Sequence, residues 1–273
     1  MSVLCAPDSL TRRYARYAWE LMSHKPFSGA TVYRLDATST LYLKYAPIPD
    51  SSDSGVSPLA EAQRLEWLLA NDVPCPEIVD YGTLDEHEYI VTAAAPGLPA
   101  SHDWPPDARL SVVDAVADFA TGLHRLPIAE CPFDRRLKVT VPLAQEIAGL
   151  GEVDLAGLDK KRRGWTVTRL VTELLATARQ VGREEPVVCH GDYCLPNVLV
   201  DPDTWAVTAI VDVGRLGVAD RYADLALMTR SLSSATLNPQ FGPQYSDRFM
   251  YRYGELPADS QRLELYRLLD EFF

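Results

Sequence analysis

Short β-rich segments dominate the chain before Pro96, whereas helical periodicity dominates it afterwards. The runs TVYRL and TLYLKY, joined by the polar DATS, are typical of a β-hairpin. VPCPEIVDYG and EYIVTAAA also have strand character, and the PGLP sequence that begins at Pro96 ends the pattern. We therefore expect a β-rich N-terminal lobe over residues 1–95.

One helix is predicted within this lobe. Ser57 and Pro58 supply an N-cap and a first-turn proline. The helix that they begin would place three leucines on one face, namely Leu65, Leu68 and Leu69. Glu61 lies in its first turns.

The remainder, residues 96–273, is expected to form a mainly helical C-terminal lobe. Apolar residues recur at three-to-four spacing in ARLSVVDAVADFATGLHRL, and a second long helix is predicted over 166–178. Between them and the helical C-terminal part, PVVCHG and NVLVDPDTWAVTAIVDVG read as short strands, with DPDT as a turn. The fold class predicted is α+β.

The charge balance excludes some functions. The chain carries 26 Lys and Arg against 38 Asp and Glu, a net charge of −12, which disfavours nucleic-acid binding and favours cationic small molecules. No apolar run predicts a membrane span or a signal peptide, so we expect a cytoplasmic protein. The 5 cysteines are odd in number and lack CxxC spacing, so reduced thiols are expected.

The most informative motif is HGDYCLPN, in which Asp192 precedes Asn197, with Asp212 following at the end of the predicted hairpin. A loop aspartate, an asparagine and a second aspartate would converge at one end of that hairpin. Mg²⁺ prefers such oxygen ligands, and phosphoryl transfer needs a further carboxylate to orient the attacking hydroxyl. Asp192 fits the catalytic base, and Asn197 and Asp212 fit the metal ligands.

These residues also have an ordinary interpretation. The HGD sequence by itself is compatible with a simple turn, and Asp212 is compatible with the solvated end of a hairpin. The preceding apolar strand, the hairpin and the spacing of the second aspartate together favour the phosphoryl-transfer interpretation. We expect His190 to be structural rather than a general base.

Lys44 and Glu61 form a second predicted constellation. A strand lysine that reaches nucleotide phosphates and is held by a helix glutamate is the kinase arrangement. Each residue alone is ordinary, but their order upstream of the HGD motif supports the pair. Ser28 and Gly29, in the turn before the hairpin, are expected to cover phosphates with backbone N–H groups.

Three segments, HGDYCLPNVLVDPDT, VTAIVDVGRLGVADRYADLAL and SQRLELYRLLDEFF, resemble the aminoglycoside 3′-phosphotransferases, antibiotic kinases with a protein-kinase-like bilobal fold. The resemblance covers essentially the whole chain. It implies ATP and Mg²⁺ in a cleft between the lobes, with adenine bonded to backbone groups near Ala93 and Ala95. It also implies that Arg215 lies close to the reacting groups, and that Asp220, Arg221 and Asp224 of ADRYAD scaffold the catalytic loop.

The resemblance further implies an aminoglycoside site at the C-terminal end, where Asp270, Glu271 and the carboxylate of Phe273 bind ammonium groups. Asp159 is expected to contribute as well. Family members often carry a run of acids after it, whereas this chain has the basic run 160–163, which would repel the drug if it faced the site.

The predicted function is therefore ATP-dependent phosphorylation of the aminoglycoside 3′-hydroxyl, which confers resistance. A related kinase for macrolides, peptide antibiotics or choline shares the HGD motif and stays open. A silent nucleotide-binding module is disfavoured, because it needs no hydroxyl-orienting carboxylate. A regulated protein kinase is disfavoured by the absence of GxGxxG before Lys44 and of room for an activation loop.

Overall fold

The structure, a computed structural model, describes residues 6–24 and 30–273. The chain divides into two compact units, Met1–Ala95 and Pro96–Phe273. The helices and strands of the first unit are α1 (Asp8–Arg13), β1 (Ala18–His24), β2 (Thr31–Asp36), β3 (Thr40–Pro47), α2 (Pro58–Ala70), β4 (Ile78–Leu84) and β5 (His87–Ala93).

A five-stranded antiparallel sheet, in the order β1-β2-β3-β5-β4, forms the centre of the first unit. Buried and half-buried side chains alternate along β2, because successive residues of a strand point to opposite faces. One face packs Leu35, Leu43 and Val91 against Leu10 of α1. The hairpin predicted from TVYRL and TLYLKY is confirmed as β2 and β3.

Helix α2 begins as predicted, with the Ser57 Oγ accepting a hydrogen bond from the Ala60 N–H at 3.0 Å. Leu65 and Leu68 are buried, but Leu69 is 41% exposed, so its assignment to the apolar face was wrong. Leu69 is four residues after Leu65, so helical spacing puts it on the same face. It lies in the last turn of α2, however, where its side chain is left exposed.

The second unit is mainly helical. Its elements are β6 (Leu98–Pro99), α3 (Arg109–Leu123), α4 (Leu137–Leu150), α5 (Val167–Gln180), β7 (Pro186–Cys189), β8 (Val198–Val200), β9 (Val207–Ile210), β10 (Gly217–Asp220), α6 (Tyr222–Ser233), α7 (Pro243–Tyr253) and α8 (Ser260–Asp270).

Two small sheets lie within this unit, one with the order β6-β8-β9 and one that pairs β7 with β10. The β8–β9 hairpin was predicted, and Asp201 shapes its turn by accepting hydrogen bonds from the N–H groups of Asp203 and Thr204. Strand β10 was not predicted, because all four of its residues are buried and no alternation of polar and apolar residues marks it.

The α+β prediction is confirmed, with an antiparallel sheet in the first unit and a largely helical second unit. Within the described ranges, no helix combines the length and the apolar character needed to cross a bilayer.

We expect Leu43→Ala to lower the free energy of unfolding by about 2–5 kcal/mol, because it leaves a cavity in the sheet core. Leu69→Ala, at an exposed position in the same unit, should change it by less than about 0.5 kcal/mol. Urea-induced unfolding followed by circular dichroism measures both. Equal losses in the two variants would contradict the description of this core.

Candidate active site

The HGD motif forms a tight loop directly after β7. Gly191 has φ +85°, in the left-handed region, and a Cβ built there would lie 2.2 Å from the Arg215 carbonyl oxygen. Glycine is therefore required both by the backbone conformation and by the close approach of the 215 segment. The loop places Asp192 beside the segment that follows β9.

A buried carboxylate on α6 holds this loop. Asp224 Oδ2 accepts a hydrogen bond from the His190 N–H, and Asp224 Oδ1 accepts one from the Gly191 N–H, each at 2.8 Å. His124, at the end of α3, approaches Asp224 Oδ2 with Nε2 at 3.0 Å, while its Nδ1 lies 2.7 Å from the Tyr253 hydroxyl oxygen. Helices α3, α6 and α7 thus determine where the loop lies.

His190 connects the loop to the hairpin. Its Nε2 lies 3.0 Å from the Val211 carbonyl oxygen, to which it donates, and its Nδ1 accepts from the Asp192 N–H at 3.2 Å. Both ring nitrogens are therefore occupied by the backbone, which agrees with the structural role expected for this residue.

The structure brings Asp192 and Asn197 together. Asn197 closes a short 3₁₀ turn before β8, and its Nδ2 donates to Asp192 Oδ2 at 3.0 Å and to the Asp192 carbonyl oxygen at 2.9 Å. These bonds use the amide nitrogen. The Asn197 amide oxygen is accordingly the atom of this side chain that suits a cation.

Asp212 follows β9 and adopts φ +57°, which is uncommon for a residue other than glycine. Its backbone is positioned by the hairpin, since the neighbouring Val211 N–H donates to the Asn197 carbonyl oxygen at 3.0 Å. An amide oxygen and a carboxylate at this end of the hairpin form a donor set that suits Mg²⁺.

The pKa of Asp192 is raised above its usual range, first by burial and then by the negative charges of Asp270 and Asp212. The positive charge of Arg215 acts in the opposite direction. A buried carboxylate of raised pKa is a stronger base than a solvated one, which suits a group that accepts a proton.

Arg215 also contacts the end of the chain. Its Nη2 donates to the Phe273 main-chain oxygen, and its guanidinium lies 5.1 Å from the centre of the Phe273 ring. The guanidinium of Arg135 lies 5.3 Å from the same ring. The last residue is therefore held by two arginines, one of them in the segment that follows Asp212.

The acids predicted to bind substrate lie next to arginines of the chain itself. Arg230 Nη2 lies 2.5 Å from Asp270 Oδ2. Arg162, which has no exposed surface, pairs through Nη1 with Asp159 at 2.6 Å and Glu271 at 3.0 Å, and through Nη2 with Glu264. Sequence reasoning missed both arginines as partners of these acids.

In the first unit, Lys44 and Glu61 are in direct contact. Lys44 Nζ on β3 lies 2.7 Å from Glu61 Oε2 in the first turn of α2, and both side chains are largely buried. Ser28 and Gly29 lie outside the described residues. The Ala93 N–H donates to the Glu77 carbonyl oxygen at 2.9 Å, and Ala95 ends the unit.

Comparisons with known proteins show to which family the chain belongs. Residues 24–266 match the model of the phosphotransferase enzyme family. The chain belongs to this family. Aminoglycoside 3′-phosphotransferase from Streptomyces fradiae is 44% identical, with 97% of this chain and 99% of the relative covered. Streptomycin 3″-kinase from Streptomyces griseus is 37% identical over 89% of this chain and 88% of the relative.

Solved structures agree with the family assignment. The crystal structure of an aminoglycoside 3′-phosphotransferase of type VIII has a TM-score of 0.88 and 43% identity, covering 97% of each chain. The aminoglycoside phosphotransferase APH(3″)-Id from Streptomyces rimosus, solved with ADP and streptomycin, has a TM-score of 0.79 and 29% identity, covering 96% of this chain and 95% of that one. The chain therefore has the kinase-like fold of this phosphotransferase family.

The acid limb of the pH–rate profile should report deprotonation of Asp192, with a midpoint above the ordinary aspartate value of 3.8. Asp270→Asn should move this limb to lower pH, because it removes a negative neighbour. Arg215→Met should move it to higher pH, because it removes a positive one.

The measurement is kcat/KM for phosphoryl transfer between about pH 4 and pH 8. Asp107→Asn, an exposed carboxylate in the same unit, is the matched control and should leave the limb in place. Shifts of the two test variants in the same direction would contradict the electrostatic description.

Proposed function

We propose that this chain transfers the γ-phosphoryl group of ATP to the 3′-hydroxyl of aminoglycoside antibiotics and so confers resistance. The observation that carries the proposal is the Asp192–Asn197 contact beside Asp212, in a chain 44% identical over nearly its full length to an aminoglycoside 3′-phosphotransferase. The product carries a phosphate dianion in place of a neutral hydroxyl, so its recognition as a polycation is weakened.

Asp192 is the proposed catalytic base. Asn197 Nδ2 donates to Asp192 Oδ2, which orients the carboxylate and leaves Oδ1 for the substrate hydroxyl. Asp192 would accept the proton as the hydroxyl oxygen attacks the γ-phosphorus in line with the leaving group. The positive charge of Arg215 lowers the pKa of Asp192, and in the proposed mechanism it would stabilise negative charge close to the reacting groups.

The proposed Mg²⁺ ligands are the Asn197 amide oxygen and the Asp212 carboxylate. The hydrogen bonds of Asn197 Nδ2 leave its oxygen suited to a hard cation, so the donor set fits this metal. When bound, the ion would neutralise charge on the phosphate oxygens. Asn197 thus serves both Asp192, through its nitrogen, and the cation, through its oxygen.

ATP is the proposed donor, which also agrees with a cytoplasmic location. Lys44, held by Glu61 at 2.7 Å, would contact the nucleotide phosphates. Ser28 and Gly29 would cover them with backbone N–H groups, and Ala93 and Ala95 would bond adenine. The first unit would then be the nucleotide-binding lobe, and the second the catalytic and aminoglycoside-binding lobe.

The proposed aminoglycoside site comprises Asp159, Asp270, Glu271 and Phe273. The negative charge of Asp270 raises the pKa of Asp192, so this carboxylate lies near the proposed base. Glu271 and Asp159 share Arg162, and burial raises the pKa of Glu271, so these two would act mainly by shaping the end of α8.

A coupled ADP-release assay tests the function. We expect turnover with kanamycin and neomycin and none with a 3′-deoxy aminoglycoside, which lacks the accepting oxygen. Asp192→Asn should lower kcat by about 100- to 10,000-fold while the affinity for Mg-ATP, measured by thermal shift, is retained.

The alternatives predict other results. Turnover with streptomycin would assign the 3″-hydroxyl instead, which the 37% identical streptomycin kinase makes the second candidate. Turnover confined to a macrolide, a peptide antibiotic or choline would assign a different substrate class. Near-normal kcat in Asp192→Asn would remove this residue from the base role.

A further inference from the structure

Glu88 is a buried carboxylate that the proposed mechanism does not use. It lies on β5 and is 8% exposed. Burial of a carboxylate is costly unless hydrogen bonds compensate for the lost water. Its Oε2 accepts from the Ser57 hydroxyl at 2.5 Å and from the Leu59 N–H at 3.3 Å. Both donors belong to the beginning of α2.

Glu88 and Lys44 approach α2 from the same face of the sheet. In the antiparallel pairing of β3 with β5, Ala46 lies opposite Glu88 and Lys44 lies opposite Ile90. Paired residues share a face, and so do residues two apart on one strand. Glu88 is therefore a diagonal neighbour of Lys44, and each side chain contacts the first turn of α2.

Apolar packing by itself specifies the position of α2 along its axis only weakly. Ala62, Leu65 and Leu68 bury one face of the helix, but apolar contact is not directional. Hydrogen bonds to the N-cap hydroxyl and to a first-turn N–H are directional. They act within one turn of Glu61, whose carboxylate must meet Lys44.

We propose that Glu88 is a positioning residue for nucleotide use: it holds the beginning of α2 so that Glu61 reaches Lys44. This inference rests on the proposed function, in which Lys44 and Glu61 hold the nucleotide phosphates. Two neighbouring side chains of the sheet then fix the beginning of α2. Lys44 is the cationic one and contacts Glu61, and Glu88 is the anionic one and contacts Ser57 and Leu59. The negative charge of Glu88 also lies at the N-terminal end of α2, where the positive end of the helix dipole stabilises it.

The test compares Glu88→Leu with Glu88→Gln in the full-length enzyme. Glu88→Leu keeps volume but removes the acceptor, so the KM for ATP should rise about tenfold, as expected for the loss of a buried hydrogen-bond partner. Glu88→Gln keeps an acceptor oxygen and should restore most of the affinity. The KM for aminoglycoside should change in neither variant. Glu86→Ala, exposed in the same hairpin, is the control and should leave both KM values unchanged.

A double-mutant cycle separates positioning from general stability. If Glu88 acts through Glu61, Glu88→Leu should have little further effect on the KM for ATP in a Glu61→Gln background. Full additivity, or equal increases in the two KM values, would overturn the role of Glu88. If Glu61→Gln alone leaves ATP use unchanged, the phosphate role of the Lys44–Glu61 pair fails, and this inference fails with it.

Should Glu88→Leu not fold, Ser57 provides the same test from the other side. Ser57→Ala removes the hydroxyl that both donates to Glu88 and caps α2, and Ser57→Thr retains a hydroxyl for both contacts. We expect the KM for ATP to rise in the first variant and to stay near the wild-type value in the second. An unchanged KM in Ser57→Ala would overturn the proposal.

Discussion

The loop that carries Asp192 depends on one buried carboxylate, that of Asp224. A carboxylate without exposed surface requires hydrogen-bond donors, and Asp224 obtains two of them from the successive backbone N–H groups of His190 and Gly191. The same requirement makes the loop tight, which in turn admits only glycine at 191. Asp192 and Asn197 meet because this loop is held at the end of β7. The proposed base is therefore positioned by a helix that contributes no reacting group.

Carboxylates are abundant in this acidic chain, and most of those described above contact a cationic side chain or a hydrogen-bond donor. Arg162 is fully buried among Asp159, Glu264 and Glu271, an arrangement that is stable only because the guanidinium has several acceptors. Arg230 compensates Asp270 in a similar way. In the first unit, Lys44 compensates Glu61, and α2 itself supplies the donors for Glu88. The chain thus uses paired charges to orient its helices.

Local patterns predicted local structure well. Alternation and turn residues predicted the β2–β3 and β8–β9 hairpins, and the Ser57–Pro58 pair predicted where α2 begins. Leu69 was misplaced because helical spacing gives only an approximate boundary to an apolar face. Strand β10 was missed because its pairing with β7 joins segments about 30 residues apart in sequence and leaves no alternating pattern.

Residue types and their spacing were enough to predict the chemical groups and their order along the chain. These groups are a strand lysine, a helix glutamate, and the aspartates and asparagine of the HGD region. Apart from the Lys44–Glu61 pair, the charges that contact one another were settled by packing alone. The basic run 160–163 looked like a source of repulsion, yet Arg162 points inward to one acid within α8 and one directly after it. Its neighbours Lys161 and Arg163 are exposed. Such a choice depends on a helix about 100 residues further along the chain. Burial and pairing are properties of the packed chain, so residue spacing alone does not contain them.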